Sequence, residues 1–185
     1  MFQEKSSTNV FVLRTILAAV MIVFAAVVRI LPHPWNFTPI GAMAIFSGAM
    51  FRDRRVAFLF PLLALFAGDL FVGIHRLIPI VYASFLLSVL IGTLLANNRA
   101  ILRIGGAVFL GALQFFLVTN FAVWQLFGTY PHTPAGLAAC YIAGLPLFGN
   151  TLASDAIYST LFFGTFALAE KLYPSLSELA AQTAE

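Results

Sequence analysis

Charge is what this sequence lacks most. Only 9% of its 185 residues are Asp, Glu, Lys or Arg, against about 25% in an ordinary soluble domain. So few charges cannot cover a globule in water. The 61% of hydrophobic residues and the mean hydropathy of +0.96 argue the same way, as do twenty Phe side chains, which lipid tolerates on a surface. Cysteine is nearly absent. Cys140 stands alone, so no internal disulfide can form, and with no CxxC pair or His cluster beside it a small buried role is expected rather than a metal site. The pI of 9.4 would suit nucleic acid, yet the ten Lys and Arg are scattered, and nucleic acid is not expected as a partner. Three motifs are also missing: the G-x-x-x-x-G-K-[ST] phosphate loop, the G-x-S-x-G elbow and H-E-x-x-H. No enzyme, cofactor or metal is expected, and any use of ATP must come from partners.

What is present is a series of apolar stretches, at residues 10–31, 38–51, 56–73, 78–96, 104–124 and 148–168. The first resembles a signal peptide in shape, but it runs on past Arg29 with no A-x-A site, so it is taken as a span. A spanning helix needs about 20 residues. The second stretch has about 14, or about 21 Å of helix, so it must lie in thinned bilayer or end inside a cavity of the protein. Thr133-Pro134 reads as an N-cap followed by Pro at the first helical position. The run from there to Pro146 is too short to span, which predicts an interfacial or re-entrant helix. The expected fold is therefore all-α: an integral membrane bundle of six transmembrane helices, with a short interfacial helix between helices five and six. One membrane domain occupies residues 10–170, between tails at 1–9 and 171–185.

Basic residues set the orientation. With the N-terminus in the cytoplasm, Lys5, Arg14, Arg52, Arg54, Arg55, Arg99, Arg103 and Lys171 fall inside, and only Arg29 and Arg76 outside. This positive-inside bias predicts a multi-pass membrane protein with both termini cytoplasmic. Polar residues within and beside the spans then gather at the outer ends: Arg29, His33, Trp35, Asn36, Asp69, His75, Tyr82, Asn120, Trp124, Gln125, Asn150 and Asp155. A carboxylate facing hydrocarbon costs at least about 2.5–3.5 kcal/mol, so Asp69 and Asp155 should face the bundle or a watery cavity. Plainer roles exist for each group. Arg29 and Asp69 could lock two helices together, Asp155 could cap helix six, the Trp residues could mark the interface, and the His residues could be solvated. Their gathering at one face describes instead a pocket open to that face. A pore would need polar lining throughout. The expected substrate-binding residues are Arg29, Asn36, Asp69, His75, Tyr82, Asn120, Trp124, Asn150 and Asp155, with Arg29 pairing one of the two acids and leaving the other free.

The run Asn36-Phe37-Thr38-Pro39-Ile40-Gly41-Ala42, then Phe46-Ser47-Gly48-Ala49, a basic turn and Gly68-Asp69 resembles the S-components, the substrate-binding subunits of energy-coupling-factor vitamin transporters. The later Pro146, Asn150 and Asp155 are similar in style. A closer resemblance, over residues 12–170, is to an uncharacterised family of small bacterial membrane proteins related to them. It is carried by Gly68-Asp69-Leu70-Phe71-Val72-Gly73-Ile74-His75, Thr119-Asn120-Phe121-Ala122-Val123-Trp124, Tyr130-Pro131, Cys140-Tyr141 and Asn150-Thr151-Leu152. The resemblance implies six helices, an outward pocket for a vitamin or similar small metabolite, and an energy-coupling membrane subunit with ATPases as a partner. Many S-components dock through an A-x-x-x-A pattern on helix one. Here Ala18 and Ala19 lie seven residues from Ala25 and Ala26, so solitary uptake stays open beside docking. A structural or assembly subunit is the alternative function, and an intramembrane enzyme a more distant one.

Overall fold

A computed structural model describes residues 20–51 and 53–172. The expected tails at 1–9 and 171–185 fall outside these residues, apart from Lys171 and Leu172, as does the first part of the first span. The described chain is an all-α membrane bundle of six antiparallel helices: α1 Val20–Ile30, α2 Ile40–Met50, α3 Arg54–Val72, α4 Ile78–Thr93, α5 Ile101–Leu126 and α6 Pro134–Leu172. Three of them, α3, α5 and α6, are long and apolar enough to cross a membrane.

The bundle is built around α2. This helix has 11 residues, or about 16 Å of rise. It carries no charge, and every residue from Ile40 to Ala49 is buried. A helix that is apolar all round must be covered all round, and α3, α4, α5 and α6 all pack against it. The short second stretch of the sequence therefore does not have to span lipid, because its longer neighbours encase it. Its closest neighbour is α4. A Cβ on Gly48 would run into the carbonyl of Val89, and one on Gly92 into the carbonyl of Ile45. Two glycines thus let the two backbones touch, the usual device of helices packed within membranes. Next to Gly48 the Ser47 hydroxyl lies 2.9 Å from both the Ala44 and Ala57 carbonyl oxygens, tying α2 to the start of α3.

The charged turn after α2 is tight, and Asp53 is the N-cap of α3, accepting from the Arg55 N–H at 2.8 Å. On α3, Ala57, Phe60, Pro61, Ala64, Leu65, Gly68 and Asp69 are buried, while Leu59, Leu63, Phe66 and Leu70 are exposed. Large apolar side chains on the outer face belong in lipid, and α5 repeats the pattern with Phe109, Leu110, Leu117 and Phe121.

One expectation needs correction. The segment before Pro146 is not a separate interfacial helix. It is the first part of α6, which runs unbroken for 39 residues with Pro146 inside, or about 58 Å. Proline removes one backbone N–H from a helix interior and usually bends or ends it. Here contacts with α5 on both sides of the proline hold the helix together. The Tyr141 hydroxyl donates to the Leu117 carbonyl at 2.9 Å and the Cys140 thiol to the Asn120 carbonyl at 3.4 Å, while Phe148 packs on Phe116 and Phe109.

The α2–α4 contact yields a stability prediction. Gly48→Leu or Gly92→Leu should destabilise the protein by at least about 1–3 kcal/mol, the range for overpacking a filled core. Gly106→Leu, where an added Cβ meets nothing within 4 Å, should melt near wild type. Thermal unfolding in detergent measures all three, and equal melting temperatures would mean that the glycine contact does not hold the bundle.

Candidate functional site

The loops α1–α2, α3–α4 and α5–α6 share one end of the bundle, and a cavity of about 610 Å³ opens there. Arg54, Arg55, Arg99 and Arg103 sit at or next to the opposite helix ends. The mouth is formed by the α1–α2 loop, with His33, Trp35 and Asn36, and by His75 after α3. Asn36 has φ 61, the left-handed region that Asn tolerates better than most residues. The floor is formed where α2 begins, by Gly41, with Phe85 on α4, Phe115, Thr119 and Asn120 on α5, and Thr151 and Asp155 on α6.

Asp155 lies in the middle of α6, not at its start, and is 2% exposed. It caps α2 rather than its own helix. Its Oδ1 accepts from the N–H of Ala42 at 3.0 Å, one of the first-turn amides of α2 that has no partner within its own helix. Pro39, at the N-cap of α2, offers no side-chain cap of its own. A Cβ on Gly41 would occupy the place of the Asp155 carboxylate, so glycine at this position is what admits the acid. The positive end of the α2 dipole favours a negative group there.

Arg29 pairs with Asp69, which links α1 to α3. Gly68 makes this pairing possible, since a Cβ at that position would collide with the Arg29 side chain. The pair is one-armed. Arg29 Nη2 donates to Asp69 Oδ1, while Arg29 Nε and Asp69 Oδ2 are buried without partners.

Of the nine residues expected to bind substrate, Arg29, Asn36, His75, Asn120 and Asp155 line the cavity. Asp69, Tyr82, Trp124 and Asn150 do not. Asp69 is covered by Arg29, and Tyr82 on α4 lies beside Asp69, packed against the core. Trp124 turns toward the α5–α6 loop. Its Nε1 donates to the Pro131 carbonyl at 2.9 Å, its own carbonyl lies 2.8 Å from His132 Nε2, and its ring packs on His132 and Phe121. Asn150 donates to the Trp35 carbonyl at 3.0 Å, fastening the α1–α2 loop to α6. Both residues brace loops around the mouth.

Sequence reasoning left out several wall residues. Thr119 and Thr151 each follow or precede an Asn that was singled out, and that adjacency is the signal that could have found them. Phe85 and Phe115, whose ring centroids are 4.9 Å apart, had no such signal among twenty Phe. Among the described residues, no group of three or more His, Cys, Asp or Glu side chains is placed to hold a metal ion.

The ion pair carries a testable consequence. Asp69→Asn alone leaves a buried guanidinium without its counter-charge and should cost about 3–5 kcal/mol of stability. Arg29→Met with Asp69→Leu should restore most of that loss, because an apolar pair of similar volume needs no compensation. Melting curves of the single and double variants in detergent decide the point. A silent Asp69→Asn would show that the pair does not lock α1 to α3.

No curated protein and no solved structure matches the chain. Over residues 9–176 it matches a sequence family, and it therefore belongs to DUF6580, a family of unknown function.

Proposed function

We propose that this protein is a membrane-embedded substrate-binding and uptake protein, similar in plan to the S-components of vitamin transporters. It takes up a vitamin or similar small metabolite across a bacterial cytoplasmic membrane, and its cavity faces the outside. The observation that carries this reading is the cavity at one end of the bundle. Its volume of about 610 Å³ falls within the roughly 300–1,000 Å³ of small-molecule sites. Its walls combine aromatic faces with a few convergent polar groups, the usual make-up of such sites. The opposite end carries Arg54, Arg55, Arg99 and Arg103, the basic excess that the positive-inside rule associates with a cytoplasmic face, which supports this orientation. ATPases and an energy-coupling membrane subunit are partners under this reading. Solitary uptake remains the variant without them.

Two experiments test it. The first is a thermal-shift screen of vitamins, nucleobases and amines on the purified protein, followed by uptake of any hit into cells that express it. A stabilising compound that accumulates only in expressing cells is the expected result, and a screen with no hit removes most of the support for uptake. The second uses a background in which Cys140, the single cysteine, is replaced by Ser. Cysteines introduced at Arg54 or Asn98 should resist an impermeant reagent applied outside intact cells, and one at Trp35 should react. Labelling of Arg54→Cys or Asn98→Cys from outside would reverse the orientation.

A further inference from the structure

Asp155 is a carboxylate that the protein only half answers. Among the described residues its sole hydrogen-bond donor is the Ala42 N–H, and no cation lies within ion-pair distance of it. The α2 dipole contributes the equivalent of roughly half a charge at its N-terminus. A buried carboxylate normally needs a full counter-charge or several donors. Arg29, the cation on the cavity wall, is already paired with Asp69, and its free Nε is turned against Gly68 on α3, 2.8 Å from where a Cβ would lie.

The polar groups around Asp155 are biased in the same direction. The Thr151 hydroxyl donates to the Leu147 carbonyl at 2.9 Å, and the Thr119 hydroxyl to the Phe115 carbonyl at 2.7 Å. The Asn120 amide nitrogen donates to the Phe116 carbonyl at 2.8 Å. The two Thr hydroxyls have turned their donors to their own helices and keep lone pairs as acceptors, while Asn120 keeps a second N–H and its Oδ1 lies against Gly144 on α6. The Thr oxygens and the Asp155 carboxyl therefore offer acceptors at the cavity floor, and no cation of the described residues pairs with that carboxyl. Phe85 and Phe115, packed on each other, also line the cavity, and aromatic rings can attract cations.

On the basis of the uptake reading, we infer that the ligand of this cavity is an organic cation bearing N–H donors, an ammonium or amidinium attached to a flat apolar body. Its charged nitrogen docks on Asp155 and its N–H groups meet the Thr151 and Thr119 oxygens. The flat part lies against Phe85 and Phe115. An alkali cation offers no use for the aromatic walls, and its size leaves most of the 610 Å³ empty. An anionic ligand would find acceptors rather than donors on the Asp155, Thr119 and Thr151 side chains.

The test uses the full chain in detergent and three probes that share an indole: tryptamine, tryptophol and indole-3-acetate, which are cationic, neutral and anionic. Calorimetric titration at millimolar concentration should show tryptamine binding at least about tenfold more tightly than tryptophol, a difference of about 1.4 kcal/mol, with indole-3-acetate weakest. Asp155→Asn keeps an oxygen that can accept from the Ala42 N–H, so its melting temperature should stay near that of wild type. In this variant tryptamine should bind no more tightly than tryptophol. Thr119→Val with Thr151→Val should weaken tryptamine several-fold and leave tryptophol unchanged, which keeps the proposal testable should Asp155→Asn fail to fold. A cation preference that survives in the folded Asp155→Asn, or tightest binding by the neutral or anionic probe, overturns the ligand class and leaves the uptake reading standing. If none of the three binds wild type, the ligand class falls, and the broader vitamin screen decides separately whether uptake falls with it. Sodium chloride titrated in place of the probes should give no heat that depends on Asp155; such a heat would identify an inorganic cation site instead.

Discussion

A helix of 11 residues packed against four other helices begins inside the bundle, and the bond from Asp155 to the Ala42 N–H satisfies one of its first-turn amides. An unmet amide in such a place costs several kcal/mol in lipid. The solution imposes further demands. Gly41 must lack a side chain so that the carboxylate fits. α6 must pass the end of α2 with its middle rather than with either terminus. The acid must then be shielded from hydrocarbon by a polar space, and that space is the cavity. The α2 cap, the shape of α6 and the site are consequences of the same buried helix end.

The remaining contacts keep this arrangement closed. Gly48 and Gly92 bring α2 and α4 backbone to backbone, so α2 cannot rotate without separating them. Arg29 and Asp69 fasten α1 to α3 at the mouth, and Asn150 fastens the α1–α2 loop to α6. Trp124 holds the α5–α6 loop through Pro131 and His132. The polar residues at this end thus divide into those that hold the mouth in place and those that face its interior. A sequence lists both kinds side by side, because both need a polar group near a helix end.

That division explains how far the site was legible. The end of the bundle that carries it follows from the positions of polar residues relative to the apolar stretches, and Asn120 and Asp155 could be found that way. Trp124 and Asn150 have the same credentials in sequence and point elsewhere, because their partners are backbone carbonyls of loops whose path no spacing reveals. Phe85 and Phe115 are indistinguishable from lipid-facing Phe until α4 and α5 are brought together. Likewise Pro146 marks a helix end by its chemistry, and only the contacts of Tyr141, Cys140 and Phe148 with α5 show that the helix continues.

By itself the sequence determined the solvent and the class of fold. Scarcity of charge and the length of the apolar runs are properties summed over many residues, and no packing detail can reverse them. It also determined that polar groups collect at one end of the bundle. The tertiary structure alone decided which of those groups face each other. It paired Arg29 with Asp69 and, among the described residues, left Asp155 with a single amide, because the outcome depends on where Gly68 and Gly41 open space for a side chain from a distant helix. Such space is a relation between helices far apart in the chain, and it exists only once they have packed.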